Sequence, residues 1–192
     1  MGREFELKYR ANESKIAAIA AKFGDFTSIS METTYYDTPE RRLSPLHWTL
    51  RRRYENGKSV CTLKTPAPGG ARGEWETECP DILSSIPELC KLGAPIQLVA
   101  YTLHGVEQVC GAKFTRLAKT LVLENCTVEL ALDRGFLMGG NREEPLTEVE
   151  VELKDGSEEA AIAFAAALAE EFGLIPEAGS KYRRALALAA DM

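Results

Sequence analysis

Residues Glu4-Phe5-Glu6-Leu7-Lys8 place two carboxylates and one ammonium at every second position. Side chains on a β-strand alternate between its two faces. Glu4, Glu6 and Lys8 therefore share one face, and Phe5, Leu7 and Tyr9 share the other. Two carboxylates at this spacing can hold a hard divalent cation, and the Lys beside them can touch an anion bound to it. One such strand is also what the wet face of an antiparallel sheet looks like. The pattern gains weight by recurring. Arg51 and Arg53 share a face of Thr49–Tyr54, as do Thr62 and Lys64 in Ser59–Thr65 and Arg72, Glu74 and Glu76 in Arg72–Glu78. Glu129, Ala131 and Asp133 align in Val128–Asp133. Glu148, Glu150 and Glu152 align in Thr147–Leu153, opposite Val149, Val151 and Leu153. The charge signs are sorted by segment, some basic and others acidic. A sheet closed on itself would gather these rows into one lumen lined by both signs, a site for a metal-chelated polyanion.

Composition narrows the function classes. The chain has 192 residues, 45% hydrophobic and 27% charged, which suits one core and one domain over 1–192. Net charge is −6 and the sequence pI about 5.2, which argues against a general nucleic-acid surface. It does not argue against a phosphate ligand, because metal ions and local Arg and Lys can overcome a negative average. No apolar run approaches the roughly 20 residues needed to cross a bilayer, so no membrane partner is expected. The start of the chain is charged from Arg3 and has no signal-peptide apolar region, so the expected location is cytoplasmic. Cys61, Cys79, Cys90, Cys110 and Cys126 are odd in number and form no Cys-x-x-Cys pair, so they read as small buried apolar groups. With only His47 and His104, a histidine-based hydrolase or metal site has little material.

The elements that must position these residues are strands separated by helices. Asn12 as a cap, the spacing of Ile16, Ile19, Ala20 and Phe23, and Gly24 predict a helix over 12–23. Asp81 caps a second helix to about Leu92, split or bent by Pro87, and 96–104 forms a short third. Ser157, Glu158 and Glu159 open the strongest helix, ended by Gly173. A last helix starts at Ser180 and runs to about Ala190. Thr34–Thr38 and a strand element over Lys113–Leu123 carrying Arg116 complete the sheet. Residues 67–73 and 133–145, rich in Gly and Pro, read as loops.

In this order the motifs resemble the CYTH superfamily, the triphosphate tunnel metalloenzymes. The resemblance covers almost the whole chain. It runs through Glu4-x-Glu6-x-Lys8, Tyr35-Tyr36-Asp37-Thr38-Pro39, Leu50-Arg51-Arg52-Arg53, Thr62-Leu63-Lys64 and Arg72-x-Glu74-x-Glu76. Glu129-x-Ala-x-Asp133, Glu150-x-Glu152 and Ser180-Lys181 complete it. It implies an α+β fold: a closed antiparallel β-barrel tunnel of about eight strands with helices packed outside. It also implies a triphosphate-containing small molecule bound with Mg²⁺ or Mn²⁺. Lys8, Arg51, Arg53, Lys64, Arg72, Arg116 and Lys181 would grip phosphate oxygens. Glu4, Glu6, Glu150 and Glu152 would hold metal, assisted by Glu129 and Asp133. Glu74, Glu76 and Glu148 would form an acidic wall, and Glu4, Glu6, Lys8 and Lys181 would carry catalysis. One departure stands out: many members place a second basic residue where this chain has Phe114. Arg184 reads as helix surface. The resemblance leaves a homodimer open.

The implied reaction is in-line attack of water on a short triphosphate, inorganic triphosphate first, with metal lowering the pKa of the water. No covalent nucleophile is needed, in keeping with the lack of a Ser or Cys constellation. The alternatives are a class IV adenylate cyclase making cyclic AMP and pyrophosphate from ATP, a thiamine triphosphatase, and a non-enzymatic polyphosphate-binding module. The last would need fewer carboxylates beside its basic residues.

Overall fold

The structure is a computed structural model that describes residues 2–3, 5–66 and 72–190, with the backbone alone for Gly2, Arg3 and Arg72. Glu4 of the opening motif and most of the loop expected at 67–73 lie outside the described residues. Ten strands form one antiparallel sheet: β1 (Gly2–Arg3), β2 (Glu6–Arg10), β3 (Thr27–Asp37), β4 (Thr49–Glu55), β5 (Lys58–Pro66), β6 (Arg72–Glu78), β7 (Glu107–Val122), β8 (Cys126–Gly139), β9 (Arg142–Gly156) and β10 (Ile175–Pro176). The helices are α1 (Glu13–Phe23), α2 (Ile82–Lys91), α3 (Gln97–Tyr101), α4 (Glu158–Phe172) and α5 (Lys181–Ala190). No helix among the described residues is long and apolar enough to cross a membrane.

The strand order is β1-β6-β5-β4-β3-β7-β8-β9-β2-β10, and strand pairing among the described residues does not close it into a ring. The two ends are nevertheless near each other. β1 and β2 are consecutive pieces of one stretch, yet β1 pairs with β6 and β2 pairs with β9. Three residue steps separate Arg3 from Glu6, a reach of about 10 Å.

Alternation along the strands creates two faces. On the outer face, Val128, Leu130, Leu132, Val149, Val151 and Tyr9 pack against Ile16 and Ile19 of α1 and Ala161, Ala165 and Leu168 of α4. Each fully buried Leu or Val there contributes about 1.5–3 kcal/mol. Leu50, Cys61, Leu63 and Trp75 form a second outer core with α2 and α3. Asn12, Asp81 and Ser157 cap their helices as the sequence predicts, accepting from the backbone N–H of Lys15, Ser84 and Ala160.

The fifth helix departs from the expectation that all helices pack outside. Tyr182 and Ala185 of α5 share a core with Ala112, Phe114, Leu137 and Leu146. Leu137 and Leu146 have the strand parity of Asp133 and Glu148, so α5 lies on the inner face. Its close approach explains a second correction, that 133–145 is no loop. β8 continues to Gly139, and only Gly140 and Asn141 turn the chain into β9. A Cβ at Gly139 would stand 2.2 Å from the Ala185 carbonyl oxygen, and one at Gly135 would stand 2.1 Å from that of Lys113. These glycines admit a helix and a neighbouring strand rather than marking a turn. Likewise 113–122 belongs to one long strand, β7, that starts at Glu107.

Candidate active site

The inner face of β2 through β9, with the start of α5, lines a cavity of about 440 Å³. Glu6, Lys8, Arg51, Arg53, Lys64, Glu74, Glu76, Arg116, Glu129, Glu150, Glu152 and Lys181 all reach it. The sheet register explains how residues far apart in sequence meet. Glu6 lies opposite Glu152, and Glu152 lies opposite Glu129, so three carboxylates form one row across β2, β9 and β8. Directly opposite like charges destabilise a sheet. One layer deeper, Lys8 lies opposite Glu150, and in the layer beyond it Arg116, Asp133 and Glu148 form a row across β7, β8 and β9. On the other side, Lys64 lies opposite Glu74, and Thr62 opposite both Arg51 and Glu76.

The deeper layer is a buried charge cluster. Lys181 Nζ lies 2.9 Å from Asp133, 2.6 Å from Glu148 and 2.6 Å from Glu150. Arg116 grips both oxygens of Asp133, at 2.8 and 2.7 Å, and also donates to Glu150. The three carboxylates are close enough together to hold a cation, and the Lys181 ammonium stands among them. Burial alone would lower the pKa of Lys181, but Asp133, Glu150 and Glu148 overcome it and hold the group above its ordinary value. Burial would raise Glu150, yet Lys181 and Arg116 pull it below the usual carboxylate range. Glu148 is the exception. Burial pushes it up against the pull of Lys181, and neither oxygen makes a well-aligned hydrogen bond despite the short contact.

The cationic side is more open. Lys64 and Arg51 stand 3.3 and 3.7 Å from Glu74. Arg53 donates to Glu55 at 3.0 Å and to Thr33 at 3.3 Å. Burial, with Arg51 and Arg116 nearby, holds Arg53 below its ordinary value. Arg51 Nε is buried with no hydrogen-bond partner among the described residues. A buried charged donor left unmatched is costly, and an incoming phosphate oxygen would match it.

The structure thus brings to the cavity every sequence-derived site residue whose side chain is described except Asp133 and Glu148, which are fully buried against Lys181. Nothing is described of the Arg72 side chain. Arg184 is not helix surface: it stands 3.1 Å from Glu144, 3.6 Å from Glu148 and 3.7 Å from Glu177, which also accepts from Arg10. The second base absent at Phe114 is not replaced. Lys113 faces out toward Glu32, and Lys119 caps the carbonyls of Phe23 and Gly24. The Phe114 ring instead packs 5.4 Å from Lys181 Nζ. Sequence reasoning missed the cavity residues Lys154, Glu55, Ile29, Met31, Tyr35 and Tyr182. Lys154 was findable, since it continues the parity of Glu150 and Glu152. Tyr182 was not, because it depends on where α5 docks.

The CYTH domain family profile matches residues 2–186, and the chain belongs to this family. It is 26% identical over 191 residues to the inorganic triphosphatase of Haemophilus influenzae. That alignment covers 96% of this chain and 54% of the relative, so the chain spans about half the relative's length. Among solved structures, it resembles an adenylyl cyclase candidate from Hippeastrum described as having dominant triphosphatase activity (TM-score 0.68, 17% identity, 98% and 97% of the two chains). It also resembles a Pyrococcus horikoshii protein (TM-score 0.63, 24% identity, 96% and 99%). At these identities the likeness shows the fold.

Proposed function

We propose that this chain is a metal-dependent triphosphatase that cleaves a short triphosphate, inorganic triphosphate first, in a tunnel domain closed by its N-terminal stretch. The observation that carries this reading is one cavity holding seven cationic side chains, Lys8, Arg51, Arg53, Lys64, Arg116, Lys154 and Lys181, beside the Glu6–Glu152–Glu129 row. The name of the Haemophilus relative supports it.

The row offers only hard oxygen donors, which suits Mg²⁺ or Mn²⁺. Carboxylates kept opposite one another are also what a cation site requires. Bound there, the metal would neutralise phosphate charge and lower the pKa of a water. We assign Glu6, Glu129 and Glu152 to the metal, with Glu4 joining them by its motif and Glu150 at their edge. Asp133 holds Arg116 and Lys181 in place. Arg51, Arg53 and Lys64, with Arg72 by its motif, would bind phosphate oxygens from one side, and Lys8, Arg116 and Lys181 from the other. Glu74 orients Arg51 and Lys64. Water attacking the terminal phosphorus in line with its bridging oxygen would release orthophosphate and pyrophosphate, and the cationic walls would stabilise the developing charge.

A second reading is an organic triphosphate. Ile29, Met31 and Tyr35 give the β3 wall an apolar surface that inorganic triphosphate would not use. Phosphate release from triphosphate, ATP and thiamine triphosphate, each with Mg²⁺, Mn²⁺ or excess chelator, tests both. Triphosphate should be cleaved fastest, and only with metal. Full release in chelator would sink the metal assignment, and dominant cyclic AMP from ATP would reverse the reaction assigned.

A further inference from the structure

Lys154 of β9 has no role in the reaction above, yet it reaches the cavity at the carboxylate row. Its Nζ stands 2.8 Å from Glu152 and 4.0 Å from Glu129. Those two residues are directly opposite each other in the sheet. The third member of the row, Glu6, has Lys8 at 3.1 Å, and Glu129 also has Arg116 at 4.0 Å. In the chain without metal, the repulsion along the row is thus offset by cations the chain supplies.

Lys154 differs from the other two cations in how it is held. Lys8 and Arg116 are nearly buried, with side-chain exposures of 14% and 11%, whereas Lys154 is 40% exposed. It comes from the same strand as Glu152, two residues on, through a flexible four-carbon stem. A divalent ion on Glu152 and Glu129 would lie within a few ångströms of this ammonium, and the two would repel. Leaving for solvent costs Lys154 little, because an exposed ion pair is weak.

We infer that Lys154 is a resident counter-cation of the Glu6–Glu152–Glu129 row, displaced when a divalent ion binds, and that it sets how tightly that ion is held. The inference rests on the metal assignment proposed above. It makes the row tolerable without metal and weakens metal binding at the same time.

The test is titration of Mn²⁺ into the chelator-stripped full chain, without substrate, followed by calorimetry. Wild type is compared with Lys154→Met, Lys154→Arg and Lys113→Met. Lys113 is a control of equal charge change, since it pairs with Glu32 on the outer face. Thermal melts confirm that each variant is folded. Lys154→Met should bind Mn²⁺ roughly 2- to 5-fold more tightly, the range an exposed ion pair supports. Lys154→Arg and Lys113→Met should stay near wild type. Unchanged or weaker binding by Lys154→Met overturns the inference, as does equal tightening by Lys113→Met, which would mark a general charge effect. Absence of Mn²⁺ binding in wild type and Lys154→Met alike overturns the metal assignment, and the inference with it.

Discussion

Two groups of three carboxylates sit side by side on β2, β8 and β9, and the chain treats them differently. Asp133, Glu148 and Glu150 are buried, and Lys181 and Arg116 fill the space among them. Glu6, Glu152 and Glu129 keep side-chain exposures of 29%, 27% and 25%, with cations only at their flanks. The contrast shows what burial demands. A carboxylate shut away from water needs a permanent partner. A partly exposed row can rely on solvent and on cations at its flanks. In the function proposed above, the buried group would hold the phosphate-binding cations in place, and the open row would be left for the metal.

The comparison breaks most severely at Lys181. Lys181→Met would take the shared ammonium from three buried carboxylates, leaving Arg116 alone to serve Asp133 and Glu150, and the loss should be about 3–5 kcal/mol of stability, read by urea unfolding. Stability close to wild type would mean that the buried group does not depend on its ammonium. The open row should behave in the opposite way. Glu6→Gln or Glu152→Gln should leave the unfolding midpoint nearly unchanged while cutting triphosphate turnover by at least about 100-fold. Outer-shell metal partners already cost 10–100-fold. Near wild-type turnover in both variants would return the row to a solvated strand face.

A smaller effect belongs to the cationic wall. Arg51→Ala should raise KM for triphosphate by roughly tenfold or more, with a lesser change in kcat, because a charge-assisted hydrogen bond is worth about 1.5–3 kcal/mol. A pure kcat defect would instead place the Arg51 contact in the transition state alone.

The finest distinction is in pH. Glu150 is held below its ordinary 4.5, so the stability its charge contributes is present above pH 4.5 and is lost as pH falls through the folded value. Lys181 is held above 10.5, so its contribution is complete below that pH and is lost only on the alkaline side. Acid denaturation should therefore begin below pH 4.5 in wild type and be shallower in Glu150→Gln. An identical acid slope in both would remove Glu150 from the linkage.

Much of this was legible in the residues. Strict alternation named the charged face of each strand, because a period of two needs no knowledge of neighbours. Thus Glu6, Lys8, Arg51, Arg53, Lys64, Glu129, Glu150 and Glu152 could be singled out before any pairing was known, whereas Lys181, on a helix, is named only by the resemblance. Caps at Asn12, Asp81 and Ser157 were equally local. Register was beyond reach, since strand pairing joins residues as distant as Glu6 and Glu152. Only pairing separates the Glu6–Glu152–Glu129 row from the cluster around Lys181, although all these acids look alike in sequence. The docking of α5 was equally hidden. Gly135 and Gly139 read as turn formers until the helix and the neighbouring strand they admit are in place. Local chemistry determined which side chains face inward. Tertiary packing decided which of those charges the chain itself neutralises, because burial and distance exist only once the strands are paired and α5 is docked on β7, β8 and β9.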